Sequence, residues 1–150
     1  MELILWRHAE AEDGFPDEER ALTPQGIAQA DKMAAWLKAH MPQDIKILVS
    51  PAKRAQQTAG ALHLPFTTVD ELAPGASAQA VLSLANWDTT KGAVLIVGHQ
   101  PYLGMTASIA MARKTHYWPV EKGSIWWLAS RIRAEEEQAI IRAVITPDML

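Results

Sequence analysis

Residues 3–8 of this chain are LILWRH, a short apolar run that ends in an arginine and a histidine. A continuous apolar run of this length is typical of a strand that is buried on both faces, as in a parallel sheet. Residues 45–49 and 93–97 form two further runs of the same kind. Each of the three is followed by a segment that predicts a helix, so the pattern favours an α/β domain.

The helix signals are strongest at Thr23-Pro24 and at Ser50-Pro51, where a capping side chain precedes a proline at the first helical position. The helix after Thr23 is predicted to end near residues 40–42 and to bury one face at three- and four-residue spacing: Ile27, Ala30, Ala34 and Leu37. The helix after Ser50 is predicted to continue through residue 62. Shorter helices are predicted over residues 76–85 and 102–111.

The last third of the chain predicts two more strands, over residues 124–129 and 139–145, joined by an acidic turn at 135–137. A short strand is also predicted over residues 66–69. Trp126 and Trp127 are neighbours in one strand, so one ring is expected to face the core and the other to face outward. Together with the three earlier strands, these elements predict a mostly parallel sheet with an antiparallel edge.

The composition limits the classes of function. The chain has 150 residues, 49% of them hydrophobic, and its charge is −3 from 14 basic and 17 acidic side chains. It contains no cysteine, which excludes disulfides, thiolate metal sites and a cysteine nucleophile. The weak negative charge disfavours nucleic-acid binding. The first residues do not predict a signal segment, and no apolar stretch approaches the ~20 residues of a membrane span, so a cytoplasmic location is expected.

Basic side chains follow all three buried strands of the prediction. Arg7 and His8 follow the first strand, Arg54 lies in the first turn of the helix after the second, and His99 follows the third. Ligands of open α/β sheets bind at the carboxyl ends of the strands, so these residues are expected to meet there. A basic side chain in the first turn of a helix is electrostatically unfavourable unless an anion lies beside it.

This group of side chains suits an anionic reacting group. The guanidinium fork matches the oxygens of phosphate, whereas two arginines would repel a metal cation. One histidine is able to attack phosphorus, and the other, if protonated, is able to stabilise the charge on the equatorial oxygens during transfer. The residues therefore predict phosphoryl-transfer chemistry without a metal.

Four strings resemble the histidine phosphatase superfamily, in order and over about the first 105 residues: LILWRHAEAE, RALTPQG, ILVSPAKRAQQTA and VLIVGHQP. The corresponding family pattern is Arg-His-Gly, Leu-Thr-x-x-Gly, Ser-Pro-x-x-Arg-Ala-x-Gln-Thr and Gly-His. The length and the segments at 72–74, 122–124 and 145–147 resemble the bacterial SixA-type phosphohistidine phosphatase branch. The last third of the chain is matched only loosely.

The resemblance implies a role for each matched residue. His8 would be the nucleophile and would be phosphorylated transiently, Arg7 and Arg54 would hold the phosphoryl oxygens, and His99 would complete the pocket. Arg20 would add a further phosphate contact. No metal and no organic cofactor are implied. The implied fold is a three-layer α/β/α sandwich like that of phosphoglycerate mutase, with residues 1–150 as one histidine phosphatase domain.

Two positions depart from the family pattern. Ala9 stands where glycine is usual, and Pro74 stands where other branches have a Leu-x-Glu string with an acid. An alkoxide leaving group needs that acid, whereas the imidazole of phosphohistidine is a far weaker base and leaves more readily. The missing acid thus favours phosphohistidine. The alternative is that another carboxylate supplies the proton: Glu10, Asp13, Asp17 or Glu71.

The prediction is therefore a metal-independent phosphatase that removes phosphate from phosphohistidine on a protein, for example a histidine-containing phosphotransfer domain. The partners would be that phosphorylated protein and an oxyanion in the pocket, with no nucleic acid and no membrane. A small phosphomonoester substrate, a phosphate-recognition module without turnover and a metal-dependent hydrolase are the alternatives. A compact chain predicts a shallow mouth. An exposed Tyr117 or Trp118 would help a protein to dock, and packing of a helix on the sheet is the alternative role of these side chains.

Overall fold

A central sheet of six strands runs through the computed structural model, which describes residues 1–87 and 91–150. The strands are β1 Glu2–Arg7, β2 Lys46–Val49, β3 Thr67–Thr68, β4 Ala93–Gly98, β5 Ile125–Arg133 and β6 Glu136–Ile145. Their order is β3-β2-β4-β1-β5-β6. The first four are mutually parallel where they pair, and β5 and β6 are antiparallel. The predicted parallel sheet with an antiparallel edge is confirmed.

Four helices cover the two faces of this sheet: α1 Pro24–His40, α2 Lys53–Gly60, α3 Ala78–Ala85 and α4 Tyr102–Ala112. Short 3-10 turns lie at Asp17–Glu19, Asp70–Leu72 and Pro147–Met149. None of the helices in the described ranges is long and apolar enough to cross a membrane.

Strand β1 packs against helices on both of its faces. Leu3 and Leu5 belong to a core cluster with residues of α3 and α4, such as Val81 and Leu103. Ile4 and Trp6 belong to a second cluster with residues of α1 and α2. The alternation of a strand sends successive side chains to opposite faces, so an apolar residue is needed at every position. The three-layer α/β/α architecture is confirmed.

The predicted buried face of α1 is wrong at one position. Ile27 is 48% exposed, whereas Met33 is fully buried beside Ala30, Ala34 and Leu37. The face that contacts the sheet also includes Gly26. At this end of the helix Gly26 lies against the Glu10 backbone, and Ile27, about 100° further around the helix, stays half exposed.

The predicted cap of α2 is also wrong. The helix begins at Lys53 after Ala52, and Ser50 lies outside it. The Ser50 hydroxyl lies 2.7 Å from the His99 ring instead and accepts a hydrogen bond from the Ala52 amide. Arg54 nevertheless lies in the first turn of α2, as predicted.

The final hairpin is longer than predicted, because β5 continues to Arg133 and β6 begins at Glu136. Two residues of the predicted acidic turn therefore belong to a strand.

Trp126 and Trp127 lie on opposite faces, as alternation requires, but Trp126 does not face open solvent. It packs on Trp118 with ring centroids 5.9 Å apart, because helices and loops cover both faces of the sheet.

A hydrogen bond joins the start of α1 to the segment that follows β1. The hydroxyl of Thr23 accepts from the Gly26 amide, and the Thr23 amide donates to the Glu10 carbonyl. A Cβ at Gly26 would overlap that carbonyl oxygen of Glu10. The helix therefore approaches the strand end as closely as a glycine permits.

We expect Gly26→Ala to lower the free energy of unfolding by about 1–3 kcal/mol, because the added methyl group meets backbone rather than a movable side chain. Urea denaturation followed by circular dichroism measures the change. Gly60→Ala is the matched control, since nothing lies within 4 Å of its Cβ position. Equal effects of the two substitutions would contradict the close approach.

Candidate active site

The parallel pairing of β1 with β4 places the two histidines side by side. Arg7 is in register with Gly98, so the residues that follow them, His8 and His99, leave the sheet together. Their ring centroids are 5.1 Å apart. Both side chains are buried. His8 and His99 therefore meet at the carboxyl ends of the strands, as predicted.

One ring nitrogen of His8 forms a hydrogen bond with the backbone. Its Nδ1 lies 2.7 Å from the carbonyl oxygen of Ala9. A carbonyl only accepts hydrogen bonds, so the proton of the neutral ring is on Nδ1. The lone pair of the ring is then on Nε2, which is the nitrogen available to attack an electrophile.

Backbone contacts fix the position of His8 and its neighbour. The His8 amide donates to the Gly98 carbonyl over 3.0 Å. The Ala9 amide donates to the Thr58 hydroxyl, which in turn donates to the Arg54 carbonyl. The Ala9 methyl group packs in a small cluster with Leu22 and Ala30, so the usual glycine is replaced without loss of packing.

Arg54 is the most enclosed cation of the site, with its side chain 5% exposed. Its two terminal nitrogens donate to Asp17, one to the backbone carbonyl and the other to Oδ2 at 3.0 Å. Arg20 donates to the second carboxylate oxygen, Oδ1, also at 3.0 Å. The Arg20 hydrogen bond, with that of Arg54, holds the pKa of Asp17 below its ordinary value.

His99 is oriented by Ser50. The Ser50 oxygen already accepts from the Ala52 amide, and its own proton is available to His99 Nε2, which lies 2.7 Å away. When Nε2 accepts, the proton of the neutral ring is on Nδ1. That Nδ1 atom is buried and has no hydrogen-bond partner.

Within the described residues, three buried nitrogen donors of this group lack a partner: Nε of Arg7, Nε of Arg54 and Nδ1 of His99. Arg7 is held by its NH1 atom, which donates to the Val120 carbonyl over 2.8 Å. An unsatisfied buried donor is costly, and guanidinium groups bind oxyanions strongly. The arrangement therefore suits an anion that accepts from several donors at once.

Burial and the nearby cations keep both histidines neutral. Burial, with smaller contributions from Arg54 and Arg7, lowers the pKa of His8 to about 4, against the opposing effect of the Ala9 hydrogen bond. Burial, followed by His8 and Arg54, lowers the pKa of His99 to about 3. Burial and then Arg54 lower the pKa of Arg7. At neutral pH the site carries its positive charge on the arginines.

Four of the five residues predicted for the site come together: Arg7, His8, Arg54 and His99. Arg20 is bonded to Asp17 and to the Glu12 carbonyl instead, and its contact with phosphate stays a prediction. The sequence argument missed Ser50 and Thr58, which orient the site. The Ser-Pro pair that marks Ser50 was the available signal, but it was assigned to helix capping.

The carboxylates considered as proton donors have different surroundings. Asp17 forms ion pairs with Arg54 and Arg20, which favour its ionised form. Glu10 accepts from the Thr23 hydroxyl over 2.7 Å. Asp13 and Glu71 are exposed. In the described ranges, no group of three or more His, Asp or Glu residues is placed to hold a metal ion.

We expect the neutral state of these histidines to make stability depend on pH. Between about pH 4 and pH 6.5 the unfolded chain binds more protons than the folded chain, so the free energy of unfolding falls as the pH is lowered. The loss attributable to His8 is on the order of 1–3 kcal/mol. Urea unfolding in phosphate-free buffers at pH 7.5 and pH 4.5 measures it.

His8→Asn removes one titrating group and should make this decline shallower. His63→Asn, at an exposed position outside the site, is the matched control and should leave the slope as in the wild type. The same slope in His8→Asn as in the wild type would contradict a buried neutral His8.

Comparison with known proteins identifies the family of this chain. Residues 3–73 match the model of the histidine phosphatase superfamily, branch 1. The chain is 33% identical to phosphohistidine phosphatase SixA of Escherichia coli over 113 residues, covering 69% of this chain and 70% of that protein. An uncharacterized protein of Mycobacterium tuberculosis is 34% identical over 102 residues, and the match spans 63% of each chain.

A solved structure extends the likeness to nearly the whole chain. The protein histidine phosphatase SixA in complex with tungstate superimposes with a TM-score of 0.80 over 99% of both chains, at 25% identity. The sheet and its two helical layers are the phosphoglycerate mutase-like α/β fold of that protein. With its ordered motifs, its matched region and its architecture, the chain belongs to the histidine phosphatase superfamily.

Proposed function

We propose that residues 1–150 form one phosphatase domain that hydrolyses phosphohistidine on a protein through a phosphorylated His8. The observation that carries the proposal is the free Nε2 of a neutral, buried His8 beside three buried donors that have no partner. The similarity to SixA, a phosphohistidine phosphatase, supports the substrate class. No metal or organic cofactor enters the proposed reaction.

The first step transfers the phosphoryl group to the protein. The Nε2 lone pair of His8 attacks phosphorus, while the bond between phosphorus and the substrate imidazole breaks. The substrate ring carries a proton on its other nitrogen, so the departing nitrogen keeps the electron pair of that bond and the ring leaves as neutral imidazole. Arg7, Arg54 and the Nδ1–H of His99 donate to the phosphoryl oxygens and stabilise their charge in the transition state.

The second step restores the enzyme. Water attacks phosphorus, the bond to Nε2 of His8 breaks, and its electron pair returns to Nε2. The products are inorganic phosphate and the neutral histidine. Throughout, the Ala9 carbonyl holds the Nδ1 proton of His8, so the ring keeps the tautomer and the orientation that both steps need.

The surroundings of the carboxylates support a nitrogen leaving group. The ion pairs of Asp17 favour its ionised form, which does not donate a proton. An imidazole has a pKa of about 6.5 when protonated and leaves without a dedicated acid, whereas an alkoxide does not. Phosphohistidine therefore fits this site better than a sugar phosphate does.

We expect wild-type protein to form an acid-labile phosphoryl adduct when incubated with a phosphohistidine-bearing protein, and His8→Ala to form none. Phosphate labelling after a rapid quench at high pH measures the adduct, and phosphate release measures turnover. His63→Ala is the matched control. An adduct that persists in His8→Ala, or turnover without any adduct, would show that the mechanism is wrong.

The same assay separates the substrate classes. Phosphohistidine protein should be turned over at least 10-fold faster than any member of a panel of sugar phosphates, because the leaving group needs no acid. Faster turnover of a sugar phosphate would overturn the choice of substrate while leaving the phosphorylated His8 in place.

We also expect tungstate or phosphate to raise the melting temperature of the protein, since an anion that binds only the folded state stabilises it. At 100 times the dissociation constant the stabilisation is about 2.7 kcal/mol. Differential scanning fluorimetry measures the shift. Arg54→Gln should abolish it and Arg133→Gln, at an exposed position of β5, should not. An equal shift in Arg54→Gln would argue against the proposed anion site.

A further inference from the structure

The segment of residues 10–20, here called the acidic loop, connects β1 to α1 and is tied to the site. Asp17 bonds to Arg54 and Arg20 through its carboxylate. The Glu12 carbonyl accepts from Arg20, and the Glu12 amide donates to the Ala21 carbonyl over 2.8 Å. These bonds hold the loop in one position beside the donors of the site.

An aromatic side chain projects from this loop into solvent. Phe15 is 96% exposed, although it lies only two residues from Asp17, which contacts Arg54 directly. A phenylalanine carries a large apolar surface that is favourable to bury. Because the loop is held by hydrogen bonds and ion pairs, Phe15 is presented at a defined place next to the site.

The loop also presents negative charge. Four of its carboxylates are exposed and form no ion pair within the described residues: Glu12, Asp13, Glu18 and Glu19. The surface of the loop thus presents one large apolar residue, Phe15, among acidic residues. A partner surface that fits it carries an apolar patch and basic side chains.

A second exposed aromatic residue lies in the chain segment beside the site. Tyr117 is 76% exposed. It precedes Trp118, whose carbonyl accepts from Gln100, the residue after His99. The nearby Lys114, Glu121 and Lys122 carry both signs of charge, so this segment has no preference for a basic or an acidic partner. It contributes an aromatic contact, and the acidic loop contributes the preference for a basic partner.

We propose that the acidic loop, with Phe15 as its apolar anchor and Tyr117 as a second contact, is the docking surface for the protein that carries the phosphohistidine. The inference rests on the proposed function, because a phosphorylated histidine that reaches His8 brings its own protein surface against the loop. The partner surface next to that histidine is basic with an apolar patch.

Phe15→Ala tests the anchor. With a phosphohistidine-bearing protein as substrate, KM should rise about 10-fold or more, as expected for an aromatic interface anchor, while kcat stays unchanged. With the free amino acid phosphohistidine as substrate, both constants should match the wild type. Ile132→Ala is the matched control, because Ile132 is 59% exposed on β5, outside the loop. Tyr117→Ala should act in the same direction as Phe15→Ala.

The charge preference has its own test. In the wild type, kcat/KM for the protein substrate should fall as salt is added, because the attraction between the surfaces is screened. The double variant Glu18→Gln/Glu19→Gln should lower kcat/KM at low salt and weaken the salt dependence. Glu135→Gln/Glu136→Gln, at the tip of the final hairpin, should behave as the wild type does.

The outcomes separate the two proposals. If the wild type hydrolyses free phosphohistidine but not the protein, the proposed protein substrate is wrong and the docking surface with it. If the wild type hydrolyses the protein, and Phe15→Ala does so with unchanged KM, the docking surface alone is overturned. A rise in KM that is equal for the free amino acid would also overturn it, since it would place Phe15 in the phosphate site.

Discussion

The packing of two guanidinium groups and two imidazoles at one end of a sheet is the constraint on which the rest of this structure depends. Like charges in a buried place repel and lose hydration, so each group needs compensation. The histidines are neutral, with pKa values lowered to about 4 and about 3 chiefly by burial. The arginines keep their charge and are held by oxygen atoms from other segments: Asp17 for Arg54 and the Val120 carbonyl for Arg7.

This compensation does not reach every nitrogen of the two arginines, and the nitrogens that remain suit the binding of an anion. The bonds to Asp17 and Val120 use the terminal nitrogens of the arginines and leave the Nε atoms buried without partners. The site is thus preorganised for an anion, because these donors are buried, held in place and without partners among the described residues. The Asp17 contact also links the acidic loop to Arg54, so the proposed phosphate site and the proposed docking surface depend on the same ion pair.

Prediction from sequence succeeded where a local pattern has a single structural outcome. The apolar runs predicted β1, β2 and β4, and the positions of Arg7, His8, Arg54 and His99 after those strands predicted that they would meet. Prediction failed where the pattern around a residue is compatible with two structural roles. Ser50 has the pattern of a helix cap, yet it bonds His99. Ile27 has the periodicity of a core residue, yet it is half exposed, and the neighbouring Gly26 makes the close contact with the Glu10 backbone.

The sequence by itself determined the order of the elements, the two-sided burial of β1 and the set of charged residues at the strand ends. These follow from hydrophobic periodicity and from the rule that parallel strands end at one edge. Only the tertiary structure decided that Nδ1 of His8 is bonded to Ala9, that Asp17 holds Arg54, and that Phe15 projects from a fixed loop. Such features depend on distances between segments far apart in the chain, or on backbone conformation, and a one-dimensional pattern contains neither.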